Sequence, residues 1–455
     1  DKAALLRLLT KKTRYVELDR KLTPARHAEI LGLGIPGVYF RKSTLRSYPS
    51  GKLAAHVLGQ VDMDNKGLAG LEKSLDARLS AGEDITLSID AGVQAVVARE
   101  IARQMEVFEA IGGAGVMLDI VSGEVVAMVS LPDYNPNHFA AIEDDARFNR
   151  ATLGLYEMGS TFKVLNTAIA LESGATSTST YYEVSKPLRF GRFSIWDYHM
   201  YDRDLSVPEI LVLSSNIGSA RMAADIGADR QQFYLRQLGL FDKVSLEIPE
   251  MANPLLPGTW RSTSIATVSY GHGISVTPLH LASSIAAASG SGVMVEPTLM
   301  HRGGAPAPMS ERLFSEETTK AVRSMMRLVV SHPDGTGNFA EAKGYMVGGK
   351  TGTSEKINPN GGYLKDRNIA SFAATFPIHD PRYVLVVMVD EPKGQKHSYG
   401  YATGGWVAAP AAKRIIEHAA PILGILPVDE NSPEIRQKLR MDFKIGKEEK
   451  TLASY

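Results

Sequence analysis

Ile369-Ala370-Ser371-Phe372-Ala373-Ala374-Thr375-Phe376, then His379-Asp380-Pro381, then Tyr383-Val384-Leu385-Val386-Val387-Met388-Val389-Asp390 reads as two strands joined by a turn. Tyr383–Val389 is the longest apolar run in the chain. It is far shorter than the roughly 20 residues that a helix needs to cross a bilayer. Nearer the other end, Gly115–Ile120 and Glu124–Ser130 flank Val121-Ser122-Gly123 and read as a hairpin. Ile85-Thr86-Leu87-Ser88-Ile89 alternates like a further strand. Asp90 stands where an N-cap belongs, and Val93, Val96, Val97, Ile101, Met105 and Phe108 follow at helical spacing. A helix is expected from about Ser160 to Glu172, stopped by Gly174, and a last strong one over about Val407–Ala419. Strands at both ends of a mostly helical middle predict one sheet assembled from distant parts of the chain, an α/β layer architecture.

The texture divides the chain into three parts. Residues 1–82 are a mixed segment ending near Ser80-Ala81-Gly82-Glu83. Residues 83–425 form the main domain, and residues 426–455 are a charged tail, sparse in core residues and expected to lie on the surface. At 455 residues, with 44% hydrophobic and 22% charged, the chain has the composition of a globular protein of two or three domains. Fifty basic residues balance fifty acidic ones, so no global field draws the chain to nucleic acid or to an anionic membrane. The absence of cysteine excludes disulfides, thiolate metal sites and cysteine nucleophiles. It fits an oxidising compartment without requiring one.

Three short motifs occur in order: Ser160-Thr161-Phe162-Lys163, Ser214-Ser215-Asn216, and Lys350-Thr351-Gly352-Thr353. On a helix Ser160 and Lys163 share a face. A lysine there can accept the serine proton only when neutral, and burial or a second cation such as Lys350 pushes its pKa down. Lys350 itself is expected to stay charged, with Lys163 the more shifted of the two. A serine at a helix start directs its backbone N–H toward a developing oxyanion. Ser214 can relay a proton and Asn216 can hold a substrate peptide. Lys350, Thr351 and Thr353 suit a substrate carboxylate, on a strand edge where Gly352 lets substrate come close. Ser-x-x-Lys alone arises by chance in a chain of this size. The three together, in this order, are the motif set of penicillin-binding proteins and class A β-lactamases.

The chain resembles the class B penicillin-binding proteins, close to the division-specific type. Leu22-Thr23-Pro24, Gly34-Ile35-Pro36-Gly37-Val38, Tyr48-Pro49-Ser50-Gly51, Ala54–Gly59 and Gly67–Glu72 match that family's N-terminal module. Asn135-Pro136-Asn137, Asp197-Tyr198-His199, Thr277-Pro278-Leu279 and Gly335-Thr336-Gly337 match its transpeptidase domain. The join at Arg78–Gly82 is shorter than the strand-rich insert usual there. The resemblance implies a β-lactamase-like domain, an antiparallel sheet flanked by helices, preceded by an elongated α+β pedestal in residues 1–82. It implies D,D-transpeptidation of peptidoglycan stem peptides through an acyl-enzyme at Ser160, inhibited by β-lactams. Lys163 would be the base, Ser214 the proton relay, Asn216 the holder of the donor peptide and Lys350 the group that tunes the field. Thr351, Gly352 and Thr353 would line the carboxylate site, and backbone N–H groups of Ser160 and Thr353 the oxyanion hole. No cofactor or metal is implied. The resemblance also implies a membrane-embedded septal glycosyltransferase and other division proteins as partners. Asp1-Lys2-Ala3-Ala4 reads as the middle of a longer chain, so a single N-terminal inner-membrane anchor is expected ahead of it, with these residues in the periplasm.

Other readings compete. Gly344–Thr351 fits a phosphate-loop pattern, but Pro359-Asn360-Gly361-Gly362 follows too soon for the helix such a loop must open. Asp62–Gly67 hints at a calcium loop but puts Lys66 and Lys73 at ligand positions. Asp197, His199, Asp202 and Asp204 have the irregular spacing of surface or capping groups rather than of a metal site. Tyr270-Gly271-His272-Gly273 reads as a turn near the substrate groove, not a catalytic histidine. Within the same fold, a β-lactamase, a D,D-carboxypeptidase or a non-catalytic β-lactam sensor remain alternatives.

Overall fold

A computed structural model of the chain describes residues 2–20, 22–191, 193–308, 310–358, 361–439, 442–445 and 448–451. Five antiparallel strands form the central sheet: β1 (Gly112–Asp119), β2 (Val125–Leu131), β3 (Gly348–Ile357), β4 (Tyr363–Phe376) and β5 (Tyr383–Asp390), in the order β2-β1-β5-β4-β3. β5 pairs with β1 from Tyr383↔Asp119 to Asp390↔Gly112, and so joins the two ends of the domain. Its unbroken apolar run follows from this central place. Val384, Val386 and Met388 enter the core on one side of the sheet, while Leu385 and Val387 enter the core on the other. Alternation has a period of two, but both faces are dry.

Four helices lie against the sheet, α1 (Ala91–Val107), α4 (Pro278–Ser289), α5 (Glu316–Ser331) and α6 (Gly404–Ile422), while α2 (Phe162–Glu172) packs on α4 and α5, and α3 (Asn216–Ile226) packs on α2. α1 and α6 share one core, where Val97, Ile101, Ala412 and Ile415 meet Phe372 and Leu385. α2, α4 and α5 share the other, where Leu165, Ile169, Leu281, Ile285 and Met325 meet Val116 and Val386. α2 is therefore buried along most of its length, which holds anything at its first turn rigidly.

Local signals mostly act where they stand. The Asp90 carboxylate accepts from Val93 N at 2.9 Å and starts α1. Asp119 accepts from Val121 N (2.8 Å) and Ser122 N (3.2 Å) and closes the β1–β2 turn. Two expectations change. Ile85–Ile89 is not a strand of the sheet: it makes an isolated bridge, Leu87 to Met300, with Ser88 N on Leu299 O at 2.8 Å. Its side chains are only part-buried, so alternation there reflects a surface ladder. The tail is not merely surface-lying either. The helix Pro433–Lys438 buries Ile435, and Leu439 beyond it is also buried in the core; Ser324 Oγ on α5 donates to Leu439 O at 3.0 Å. Two apolar residues at helical spacing suffice to dock a charged segment.

No described residue before Tyr48 is buried. Docking onto the main domain begins there: the Asn137 side chain accepts from Tyr48 N at 3.0 Å and donates to Tyr48 O at 2.9 Å. Val57 and Leu71 enter the main core, and the His56 ring meets Ala146 O at 2.8 Å. Asp62 is a turn residue: Oδ1 accepts from Asp64 N (2.8 Å) and Lys66 N (3.0 Å) between the paired strands Gln60–Val61 and Gly67–Ala69. Likewise Gly344–Thr351 leads into β3, not into a helix, which removes the phosphate-loop reading.

Candidate active site

The turn that carries Ser160 is set by packing. Gly159–Thr161 is a single 3-10 turn that feeds α2. Gly159 has φ +55°, and a Cβ on it would lie 2.6 Å from Thr353 O, so glycine is what lets this turn rest against β3. β3 is the edge strand of the sheet, which puts Lys350-Thr351-Gly352-Thr353 beside Ser160. Gly352 serves a different purpose from the expected one. A Cβ there would meet Ser371 Oγ at 2.3 Å and Met158 O at 2.5 Å, so its space is taken by the turn that carries Ser160, not left for substrate.

The three motifs converge on two buried amines. Lys163 Nζ lies 3.0 Å from Ser160 Oγ, 2.7 Å from Ser214 O, 3.1 Å from Ser214 Oγ and 2.7 Å from Asn216 Oδ1. Lys350 Nζ lies 2.9 Å from Ser214 Oγ, 3.2 Å from Thr351 O and 3.5 Å from Thr336 Oγ1. Ser214 reaches both because it sits at φ 61°, an uncommon conformation for a residue with a Cβ. Thr351 Oγ1 donates to Thr336 Oγ1 at 2.9 Å. Thr353 Oγ1 accepts from Gly404 N at 3.0 Å, which leaves its own proton free to donate outward. Asn216 Nδ2 donates one proton to Trp196 O at 3.0 Å and keeps the other.

Both lysines are wholly buried. Burial brings Lys163 down to about 7, against the pull of the Asp197 carboxylate, which raises it. Burial pushes Lys350 well below the usual lysine range, and the charge of Lys163 pushes it further down. Lys350 is thus not the ordinary charged lysine expected: burial lowers both amines, and only Lys163 has a carboxylate, Asp197, that pulls its pKa back up.

Asp197 was expected only as a surface or capping group, and it caps at the centre of the site. Its carboxylate accepts from Ser215 Oγ (2.6 Å), Asn216 N (2.5 Å) and Ile217 N (2.9 Å), holding the start of α3. Thr336 was likewise given no role. Both lie within family-like stretches, Asp197-Tyr198-His199 and Gly335-Thr336-Gly337, and that was the only signal the sequence carried.

A serine hydroxyl against a buried amine of lowered pKa, with a second amine and a threonine-rich strand edge, is the make-up of a serine acyltransferase site. Comparison with known proteins agrees. The penicillin binding protein transpeptidase domain family matches residues 113–417, and the penicillin-binding protein dimerisation domain family matches residues 4–104. The chain belongs to the penicillin-binding transpeptidases. It is 41% identical over 415 residues to the probable peptidoglycan D,D-transpeptidase FtsI of Caulobacter vibrioides, covering 89% of this chain and 70% of that protein. It is 31% identical over 444 residues to the peptidoglycan D,D-transpeptidase FtsI of Escherichia coli, covering 91% and 74%. The crystal structure of penicillin binding protein 3 of Mycobacterium tuberculosis, complexed with aztreonam, superposes with a TM-score of 0.76 at 28% identity, over 85% of this chain and 92% of that one.

Proposed function

We propose that this chain is a serine-type D,D-transpeptidase that cross-links peptidoglycan stem peptides in septal wall synthesis and is acylated by β-lactams, with Ser160 as nucleophile. The single observation that carries the chemistry is the hydrogen-bond account of Lys163. A neutral amine has two N–H donors and one lone pair. Ser214 O and Asn216 Oδ1, both at 2.7 Å, can only accept and so take the two donors. The lone pair is left for the Ser160 hydroxyl at 3.0 Å, which is the geometry of a general base.

Acylation then runs as follows. Lys163 takes the Ser160 proton as Oγ attacks the carbonyl of the penultimate D-alanine. Backbone N–H groups of Ser160 and Thr353 receive the oxyanion. Lys163 returns the proton through Ser214 Oγ, at 3.1 Å, to the leaving D-alanine amine. Lys350, Thr351 and Thr353 hold the terminal carboxylate, and the spare Asn216 N–H holds the donor peptide. An acceptor amine resolves the acyl-enzyme. Residues 1–82 would serve as the pedestal, 83–425 as the transpeptidase domain and 426–455 as the tail. A septal glycosyltransferase and other division proteins would be its partners, at the periplasmic face of the inner membrane behind an N-terminal anchor. The family resemblance supports this part.

Mass spectrometry of the penicillin-treated protein tests the assignment. The adduct should fall on Ser160 alone and vanish in Ser160→Ala; an adduct on another serine overturns it. Parallel assays of β-lactam hydrolysis and D-alanine release separate a β-lactamase, a carboxypeptidase or a sensor.

A further inference from the structure

The acceptor amine arrives in water as an ammonium ion and must lose a proton before it can attack. Lys163 cannot serve at that moment on its own. It must also take the second proton that leaves the nitrogen and return it to Ser160 Oγ. At neutral pH, where little of the amine is free in solution, a second base near the acyl bond would speed this step.

His272 fits that role. It lies in the turn Tyr270-Gly271-His272-Gly273, which is pressed onto the nucleophile's turn. Gly159 N donates to Gly271 O at 3.3 Å, and a Cβ on Gly271 would lie 2.2 Å from Gly159 O. The His272 Nδ1 atom faces Tyr270 O at 3.3 Å. A carbonyl oxygen can only accept, so Nδ1 carries the hydrogen and the neutral ring has its lone pair on Nε2. Nε2 makes no hydrogen bond among the described residues, and the part-buried ring is not sealed in the core. Two aromatic rings lie beside the imidazole, and two charged groups act on it or on its turn. Lys163, on α2, lowers its pKa, as does burial, which is the larger effect. Tyr270 lies at 5.2 Å and Tyr363, on β4, at 6.1 Å between ring centroids. Glu157 anchors the same turn, its carboxylate accepting from Gly273 N at 2.6 Å and from the Tyr363 hydroxyl at 3.3 Å. Together these keep the imidazole neutral, fix its tautomer and tie its backbone to the nucleophile.

We propose that His272 is the general base for the acceptor amine in the second half-reaction. This rests on the transpeptidase reading. His272 Nε2 takes one proton from the acceptor ammonium, and the freed amine forms the C–N bond to the acyl carbon. Lys163 takes the second proton from that nitrogen. As the C–Oγ bond breaks, Ser160 Oγ takes this proton back from Lys163. The imidazolium releases its proton to water.

The experiment separates the two half-reactions in the whole chain. Donor acylation is read with penicillin. Acceptor transfer is read with an N-acyl-D-alanyl thioester as donor and D-alanine as amine, as the ratio of aminolysis to hydrolysis. His272→Gln should acylate within about threefold of the parent yet lose about 100-fold in the ratio at neutral pH, as expected for removal of a general base. The deficit should narrow as pH rises toward the pKa of the amine, because the solvent then supplies free amine. A merely structural role would show no such rescue. His272→Tyr provides a second variant should the glutamine variant fold poorly. An unchanged ratio, or equal losses in both half-reactions, overturns the proposal. A parent chain that penicillin does not acylate would instead refute the underlying function.

Discussion

Lys163 and Lys350 share one oxygen: Ser214 Oγ lies 3.1 Å from the first amine and 2.9 Å from the second. Two ammonium groups this close in a dry site cannot both stay charged, so the pair titrates as a unit whose state depends on what occupies the cleft.

The pH profile of acylation follows. Lys163, at about 7, is a base only when deprotonated, so its contribution is lost as pH falls through that value. The second-order rate of penicillin acylation should rise through about pH 7 and level off above it. A profile that is flat from pH 5 to 9 would contradict the base assignment. Lys163→Arg, which cannot deprotonate, should lose at least about 100-fold.

Asp197 is predicted to matter in two ways. Asp197→Asn weakens three hydrogen bonds to a charged acceptor and should destabilise the chain by roughly 2–4 kcal/mol in urea unfolding. It also removes the carboxylate that raises Lys163, so the acid limb of the acylation profile should move to lower pH. A variant with parental stability and an unmoved limb would count against both roles.

Gly159→Ala tests the packing of the nucleophile. Alanine at φ +55° costs roughly 1–2 kcal/mol in backbone strain, and its Cβ must also displace Thr353. Ser160 should shift relative to β3 and acylation should fall by about tenfold or more, while circular dichroism stays native. Parental acylation would show that the turn and β3 adjust independently.

Nitrocefin should give a stoichiometric burst and little turnover. Rapid hydrolysis needs a carboxylate that activates water after the Ser-x-Asn motif, and of the five acidic residues from Asp225 to Glu250 three are engaged elsewhere and two lie on the surface. Asp225 accepts from the Tyr182 hydroxyl at 2.8 Å, Glu247 from Leu299 N at 2.8 Å and Glu250 from Gly70 N at 3.2 Å, while Asp229 and Asp242 are exposed. Sustained hydrolysis that disappears in Ser160→Ala would recast the chain as a β-lactamase.

What the amino-acid sequence determined by itself was local. The apolar run of β5, the β1–β2 hairpin around Val121-Ser122-Gly123, the Asp90 cap of α1 and the spacing of Ser160 to Lys163 on one helical face all depend on neighbours within a few residues, and all were legible. The tertiary structure decided everything that depends on what lies across the fold. Leu87 pairs with Met300 outside the sheet, and Ile435 finds α5. Gly352 gives its space to Met158 and not to substrate, and Asp197 reaches Asn216. The lowering of both lysine pKa values belongs to the same class. A pKa is set by desolvation and by the nearest charge, and here the nearest charges come from segments tens to hundreds of residues away, which no reading of local spacing can bring together.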